Sequence, residues 1–358
     1  MRMLFKFIFF VFITAIPYTG IFAQTESAQE LLQDAIRAMD GGETEYSREL
    51  LDKAEKLDPG KIIYPYERAF SFYKEKNYRE AQKILKKIHK RPEASDIMYQ
   101  LLGNTYDMIG NPKKAIKTYE KGLERFPNSG PLHLERGVME IKAKNYHGAL
   151  SIFKKGIGVA PNYSSCYYWA SKIYLSSSKK VWGMIYAETF INLERNSQRT
   201  REISKLLFNG YKDNIKLKGD SLSVHFSDNT INLNIQGELD PKKLLKQLFE
   251  TGTYEITMAK ALIGEKAISL ESLDRIRNRF IDFYFEDSTD GVLSIPIFDY
   301  RMKIKQNGFS KAYNYWLLSE GDTDEFHAWK QLNQKKWKAF VEWFTKNQLR
   351  AEKKKEEA

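Results

Sequence analysis

The sequence predicts a mainly α-helical protein, in which an array of helical hairpins is followed by a smaller α+β domain. Three observations support this fold class. Small and aromatic residues recur every 34 positions in the first half of the chain, polar and apolar residues alternate around Asp228 and Asn229, and aromatic residues follow one another at helical spacing near the C-terminus. With 358 residues, of which 42% are hydrophobic, the chain is long enough for more than one domain.

The N-terminus has the features of a secretory signal peptide. Arg2 precedes an apolar run from Phe7 to Ile16, and Ala23 offers a cleavage site. We therefore expect residues 1–23 to be a signal peptide and the mature protein to be exported, in the periplasm or associated with the cell envelope. An uncleaved anchor is the alternative, because Ile21 is not the small residue preferred before a cleavage site.

The net charge limits the classes of partner, and the single cysteine limits the possible disulfides and lipid anchors. The net charge of +11 favours anionic partners, and an anionic envelope polymer or a membrane surface would fit it. An exported protein is not expected to bind nucleic acid. Cys166 is the only cysteine, so no internal disulfide can form, and it lies too far from the cleavage site to make a lipoprotein.

The array can be followed from the stretch between Asp96 and Asn128, which has the pattern of one helical hairpin. Small residues stand where two helices would touch, large residues where a layer must be filled, Asn111 marks a turn with a left-handed residue, and a proline ends the second helix. The markers Gly103, Ala115, Tyr119, Gly122 and Pro127 recur 34 positions later as Gly137, Ala149, Phe153, Gly156 and Pro161.

This period and these markers closely resemble the tetratricopeptide repeat (TPR) family. The resemblance covers residues 28–195 and is strongest in residues 96–129 and 130–163. It implies an α-helical solenoid of about five hairpins. The fifth unit departs from the pattern at Ala187, Phe190 and Arg195, as expected where an array ends. A capping helix from Arg199 to Leu217 would complete a solenoid domain of residues 24–217.

Residues 218–348 are predicted to form an α+β domain, in which we recognise no family. Alternation predicts a β-hairpin from strands at 221–226 and 230–235. Helices are expected at 240–249 and 270–284, and a short strand at 292–297. The charged residues 349–358 are expected to be a disordered tail.

A last helix is predicted after Asp322, which with Glu325 has the spacing of a capping box. Four of the six tryptophans lie near it, and we expect them to face the core. Exposed tryptophans could instead stack on the sugar rings of an envelope glycan. The aromatic and aliphatic side chains that fall mostly on one face are Phe326, Trp329, Leu332, Trp337, Phe340 and Phe344.

In the TPR family the first helices of successive hairpins line a groove that binds an extended peptide or a partner helix. The resemblance therefore implies a protein or peptide partner and a role as an adaptor or scaffold. Carried onto this sequence, the groove residues are Tyr66, Phe70, Tyr73, Gln100, Asn104, Asp107, Leu134, Val138 and Ile141.

Catalytic patterns are weak. The five histidines include no pair at the spacing of a zinc helix, and the acidic run at 286–291 lacks the glutamate that a calcium loop needs, since Ile297 stands in its place. Asp282 and Glu286 would share a solvated helix face. We predict no catalytic residues, no metal site and no cofactor, and hence a non-enzymatic protein. An enzyme with its active site in residues 218–348 is the alternative.

Overall fold

The computed structural model describes residues 26–218, 221–227, 231–234, 253–286 and 295–350. This part of the chain forms 17 α-helices, arranged largely as consecutive pairs, and one three-stranded sheet. The predicted fold class is therefore confirmed. None of the helices in the described ranges is both long and apolar enough to cross a membrane. The chain divides into two compact units, the first ending at Asn77 and the second beginning at Tyr78.

In its described residues, 26–77, the first unit contains three helices: α1 (Ala28–Asp40), α2 (Thr44–Leu57) and α3 (Ile63–Lys74). Helix α1 begins with a capping box, because Ser27 accepts a hydrogen bond from the backbone of Glu30 while the Glu30 side chain accepts one from the backbone of Ser27. The core of this unit consists of Leu31, Ala35, Leu50, Leu51, Ala54 and Tyr64.

The second unit begins with eight helices. They are α4 (Tyr78–Ile88), α5 (Asp96–Met108), α6 (Pro112–Arg125), α7 (Gly130–Lys142), α8 (Tyr146–Val159), α9 (Ser164–Leu175), α10 (Lys180–Leu193) and α11 (Gln198–Asn214).

Helices α5 and α6, α7 and α8, and α9 and α10 pack together as hairpins. The small markers lie where large rings leave no room for a side chain: a Cβ atom at Gly103 would lie 2.1 Å from the Tyr119 ring, and one at Gly137 would lie 2.3 Å from the Phe153 ring. The repeated small and large residues are therefore partners in contact.

Asn111 is not left-handed as predicted. It caps α6 by accepting a hydrogen bond from Lys114 N, and the left-handed residue is Gly110.

The predicted capping helix is shorter than expected. Helix α11 ends at Asn214, and the next four residues form strand β1 (Ile215–Lys218). The predicted hairpin is present as β2 (Ser221–Val224) and β3 (Ile231–Asn234), and β1 pairs antiparallel with β2, so the strand order is β1-β2-β3. The predicted turn at 228–229 and helix at 240–249 lie outside the described residues.

The remaining elements are α12 (Thr253–Leu262), α13 (Leu270–Glu286), α14 (Pro296–Gln306), α15 (Ser310–Leu317), a 3₁₀ turn (Ser319–Gly321), α16 (Thr323–Leu332) and α17 (Gln334–Lys346). The predicted strand at 292–297 is wrong for residues 295–297, the part of it that the structure describes. Pro296 occupies the first turn of α14, where its missing N–H costs nothing, and Ile297 is buried in that helix. Residues 292–294, and the tail from residue 351, lie outside the described ranges.

The single last helix that the sequence predicts is in fact two helices, which are separated at Asn333. Leu332 at the break is 85% exposed instead of facing the core. The capping box is also wrong. Asp322 does cap α16, but the Glu325 carboxylate accepts hydrogen bonds from the backbone N–H groups of Leu270 and Glu271 at 2.9 and 2.8 Å. Glu325 therefore caps the start of α13, where a carboxylate is favoured by the helix dipole.

One continuous core runs from α9 to the end of the described chain. It contains buried side chains from Tyr167 in α9 to Leu349 beyond α17. The fifth hairpin departs from the repeat pattern where it enters this core: Ala187 and Phe190 are fully buried in it, and the Arg195 guanidinium donates to the backbone oxygen of Phe344 at 2.8 Å. The domain boundary after residue 217 stays a prediction, while buried residues on both sides of it share this core.

Candidate functional site

The predicted groove residues of the second unit lie on α5 and α7, the first helices of two successive hairpins. Helix α5 contacts α7, and α7 contacts α9. The six predicted residues fall on one side of each helix by helical phase. We call this surface the α5–α7–α9 face. It comprises Gln100, Asn104, Asp107, Leu134, Glu135, Val138, Ile141, Trp169 and Ile173, all of which are half-buried.

The polar centre of this face is organised around Glu135, which the sequence analysis missed. Gln100 Nε2 donates to Glu135 Oε1 at 2.9 Å, and Asn104 Nδ2 donates to the same oxygen at 3.4 Å. The Tyr119 hydroxyl donates to Asn104 Oδ1 at 2.5 Å, which fixes the amide orientation. Gln100 and Asn104 are therefore held against the Glu135 carboxylate, which lies at the centre of the face.

Asp107 lies at the other end of α5 and forms an ion pair with Lys142 of α7. The Lys142 side chain is 54% exposed, so the pair is solvated and contributes little to stability. The pair leaves the edge of the face close to neutral in charge.

Apolar side chains continue the face beyond Glu135. Leu134, Val138 and Ile141 of α7 are half-buried and pack on the same core cluster as Trp169 and Ile173 of α9. The repeat period could have found one of the missed residues, since Trp169 lies 34 positions after Glu135. The face thus joins a hydrogen-bonded carboxylate to a half-buried apolar strip.

Tyr66, Phe70 and Tyr73 belong to α3 of the first unit. All three are half-buried, and the ammonium group of Lys74 lies 6.0 Å from the centre of the Phe70 ring. Their membership of one groove with the residues of α5 and α7 stays a prediction.

A second notable constellation is a buried charged cluster formed by Glu188, Arg277, Arg301, Tyr313 and Asn314. The Arg277 guanidinium is fully buried and donates to Glu188 Oε1 and to Asn314 Oδ1, each at 2.7 Å. The Tyr313 hydroxyl donates to the same Glu188 oxygen at 2.8 Å. Arg301 lies 3.8 Å from that oxygen and donates to the backbone oxygen of Arg277 at 2.8 Å. The cluster joins α10 to α13, α14 and α15.

The charges of this cluster depend on one another. Burial raises the pKa of Glu188, but the two guanidinium groups outweigh burial and leave that pKa below its usual value. For Arg277, burial lowers the pKa and Glu188 more than compensates, so its pKa is raised. Burial and the neighbouring Arg277 lower the pKa of Arg301. Glu188 is thus the counter-charge that keeps two cations in the core.

The cluster does not provide a substrate site. The cavity beside it, which is lined by Arg277, Arg301 and Tyr313 among others, has a volume of only about 10 Å³. Such a space holds about one water molecule. The titratable groups converge as the alternative enzyme hypothesis requires, but they are enclosed by packed side chains.

The four C-terminal tryptophans are half-buried in ring contacts and do not form an exposed row. Their nearest ring centres are those of Phe344 for Trp316 at 4.8 Å, Tyr315 for Trp329 at 4.9 Å, Phe340 for Trp337 at 5.5 Å, and Phe309 for Trp343 at 5.4 Å. All four pack against the core. The core interpretation of these tryptophans is confirmed.

Two other residues singled out from the sequence have structural contacts within the fold. Asp282 forms an ion pair with Lys305, and buried Cys166 lies under α8, where a Cβ atom at Gly156 would be 2.8 Å from its sulfur. Within the described ranges, histidine, cysteine and acidic side chains form no group of three or more that could hold a metal ion.

One comparison with known proteins, the match to a family model, agrees with the repeat. The tetratricopeptide repeat family model matches residues 99–129. A thermophilic TPR protein of Thermus thermophilus is 16% identical, with a TM-score of 0.43 over 51% of this chain and 99% of that one. PilW, a type IV pilus biogenesis factor, is 15% identical, with a TM-score of 0.42 over 52% of this chain and 84% of that one. No curated protein matches the chain.

Proposed function

Because the chain is a tetratricopeptide repeat protein, we propose that it is an exported, non-enzymatic scaffold that binds a protein or peptide partner through the α5–α7–α9 face. The observation that carries this proposal is the Glu135 carboxylate, which two amide groups hold at the border of a half-buried apolar strip.

The chemistry of the face fits an extended segment of a partner protein. Both amides of α5 contact Oε1 of Glu135, and within the described residues its Oε2 has no hydrogen-bond donor. A backbone N–H, or the cation of an arginine or lysine of the partner, could donate to Oε2. Apolar side chains of the same segment would cover Val138 and Trp169. Main-chain hydrogen bonds and side-chain pockets are the combination by which grooves bind extended peptides.

The test is affinity capture from an extract of the source cells with three forms of the mature protein. Glu135→Lys reverses the charge at the centre of the face, and Glu124→Lys makes the same change at an exposed position of α6. We expect Glu135→Lys to lose a partner that wild type and Glu124→Lys both retain. If all three forms capture the same proteins while circular dichroism shows them equally folded, the face does not bind the partner.

Export is a separate part of the proposal and rests on Arg2, the apolar run from Phe7 to Ile16, and Ala23. Mass spectrometry of the protein purified from the source cells tests it. A mature N-terminus at Gln24, in the periplasmic or envelope fraction, is expected. An intact N-terminus in the cytoplasmic fraction would contradict export without affecting the binding face.

A further inference from the structure

A basic pocket of about 240 Å³ opens between α4, α5 and α6, away from the α5–α7–α9 face. We call it the lysine pocket. Helix α5 contributes Tyr99, Leu102 and Tyr106 to it, whereas Gln100 and Asn104 point to the other face, since one residue along a helix is a turn of about 100°. Its rim carries the five ammonium groups of Lys86, Lys90, Lys114, Lys117 and Lys121.

The rim has an unusual charge balance. All five lysines are exposed, and the residues that line the pocket include no aspartate or glutamate. In the described part of the chain, none of the five ammonium groups forms an ion pair with a carboxylate. Five cations around one concavity focus a positive potential on whatever occupies it. The occupant is therefore expected to be an anion with several charges.

The floor of the pocket is aromatic. Tyr99 stands edge-on to the ring of His89 with the ring centres 5.4 Å apart, and the ammonium group of Lys114 lies 5.8 Å from the centre of the Tyr106 ring. His89 Nδ1 donates to the backbone oxygen of Leu85 at 2.9 Å. Burial lowers the pKa of His89, the hydrogen bond to the Leu85 backbone opposes this shift, and the charges of Lys90 and Lys121 add to the lowering. An inorganic anion would leave this apolar floor uncovered.

The size of the rim suits a short peptide. Lys114 and Lys121 are seven residues apart on α6, which is about 10 Å along the helix axis. An extended chain spans this distance with about three residues. The lysine ammonium group binds a carboxylate as a point charge, whereas the planar arginine guanidinium requires a fixed geometry.

We propose that the lysine pocket binds an acidic peptide segment of a protein partner, with its carboxylates on the lysines of α4 and α6 and one aromatic side chain on the floor formed by Tyr99 and Tyr106. The lysine pocket lies on a different side of α5 from the α5–α7–α9 face. An experiment can therefore disprove one of the two proposals without affecting the other.

The test is fluorescence anisotropy with the full chain and labelled peptides at about 150 mM salt, where long-range attraction is screened. The peptide Glu-Asp-Phe-Glu-Asp supplies both the charges and the ring, Glu-Asp-Gly-Glu-Asp supplies the charges alone, and long-chain inorganic polyphosphate supplies anions of another kind. We expect the phenylalanine peptide to bind about tenfold more tightly than the glycine peptide. If the glycine peptide or polyphosphate binds as tightly, the pocket is a general anion patch and the assignment to an acidic peptide with an aromatic side chain is wrong.

Matched variants separate the pocket from the overall charge. Lys117→Glu with Lys121→Glu changes two rim residues, and Lys87→Glu with Lys113→Glu makes the same charge change at exposed positions of α4 and α6 that do not line the pocket. We expect the first pair to weaken peptide binding at least tenfold and the second by less than twofold. Equal losses in the two, with equal circular dichroism spectra, would overturn the proposal, as would the absence of binding to wild type.

Discussion

The buried charged cluster predicts a large loss of stability from a single isosteric change, Glu188→Gln. The amide oxygen of glutamine can still accept from Arg277 and Tyr313, which now lie 2.7 and 2.8 Å from Glu188 Oε1. What disappears is the only negative charge that contacts Arg277 and Arg301 directly within the described residues. Removing one partner of a buried ion pair costs about 3–5 kcal/mol, because the other charge stays buried without compensation.

The matched surface control is Glu342→Gln. Glu342 pairs with Lys346 at 2.9 Å in the same second unit, but the two side chains are 66% and 70% exposed. Such a pair contributes at most about 0.5 kcal/mol. The same chemical change should therefore have an effect several times smaller at this position.

Urea unfolding at pH 7, followed by tryptophan fluorescence and by circular dichroism, measures both variants. With a slope of about 3 kcal/mol/M, the Glu188→Gln midpoint should fall by about 1 M or more, while that of Glu342→Gln should hardly change. The pKa of Glu188 is lowered in the folded state, so its contribution is present above the unfolded pKa of about 4.3 and is lost as the pH falls through the folded value. A loss below about 1 kcal/mol for Glu188→Gln at pH 7 would refute the role of Glu188 as the counter-charge.

Three further predictions concern the repeats. Gly103→Ala should lower the free energy of unfolding by up to about 2 kcal/mol, because overpacking against Tyr119 exceeds the gain in helix propensity. The loss should vanish in a Tyr119→Leu background. An equal loss in both backgrounds would contradict the contact between Gly103 and Tyr119. Burial lowers the pKa of His133, and its Nδ1 has no hydrogen-bond partner among the described residues. The free energy of unfolding should therefore fall as the pH drops below about 6.5, and it should fall less in His133→Gln. Identical urea midpoints of wild type and variant across about pH 5.5–7.5 would contradict this prediction. Cys166 is fully buried, which raises its pKa to about 12, so a disulfide reagent at about pH 8 should modify it only at the rate of unfolding; modification within seconds in the native protein would show that α8 and α9 open readily.

The repeats were predictable because their packing is local and periodic. Gly103 and Tyr119 are 16 positions apart, and the same small and large types recur as Gly137 and Phe153. One unit therefore predicts the next. Trp169 was missed although it repeats the position of Glu135, because the groove residues were carried over only as far as Ile141.

The C-terminal part was less predictable because its contacts join distant positions. Glu188 and Arg277 are 89 positions apart, and neither residue belongs to a motif. Glu325 has the spacing of a local capping box, but its carboxylate caps α13, 54 and 55 positions earlier in the chain. The break at Asn333 contains neither proline nor glycine, the residues that usually reveal the end of a helix.

The central claim is that the α5–α7–α9 face contacts a protein partner, and site-specific photo-crosslinking in the source cells tests it most directly. A benzophenone amino acid replaces Val138 on the face, and in a matched variant it replaces Lys154, an exposed residue of α8. We predict one defined crosslinked partner from position 138, absent from position 154 and lost when Glu135→Lys is added. Equal crosslinking from the two positions, or none from position 138 in the folded protein, would contradict the claim.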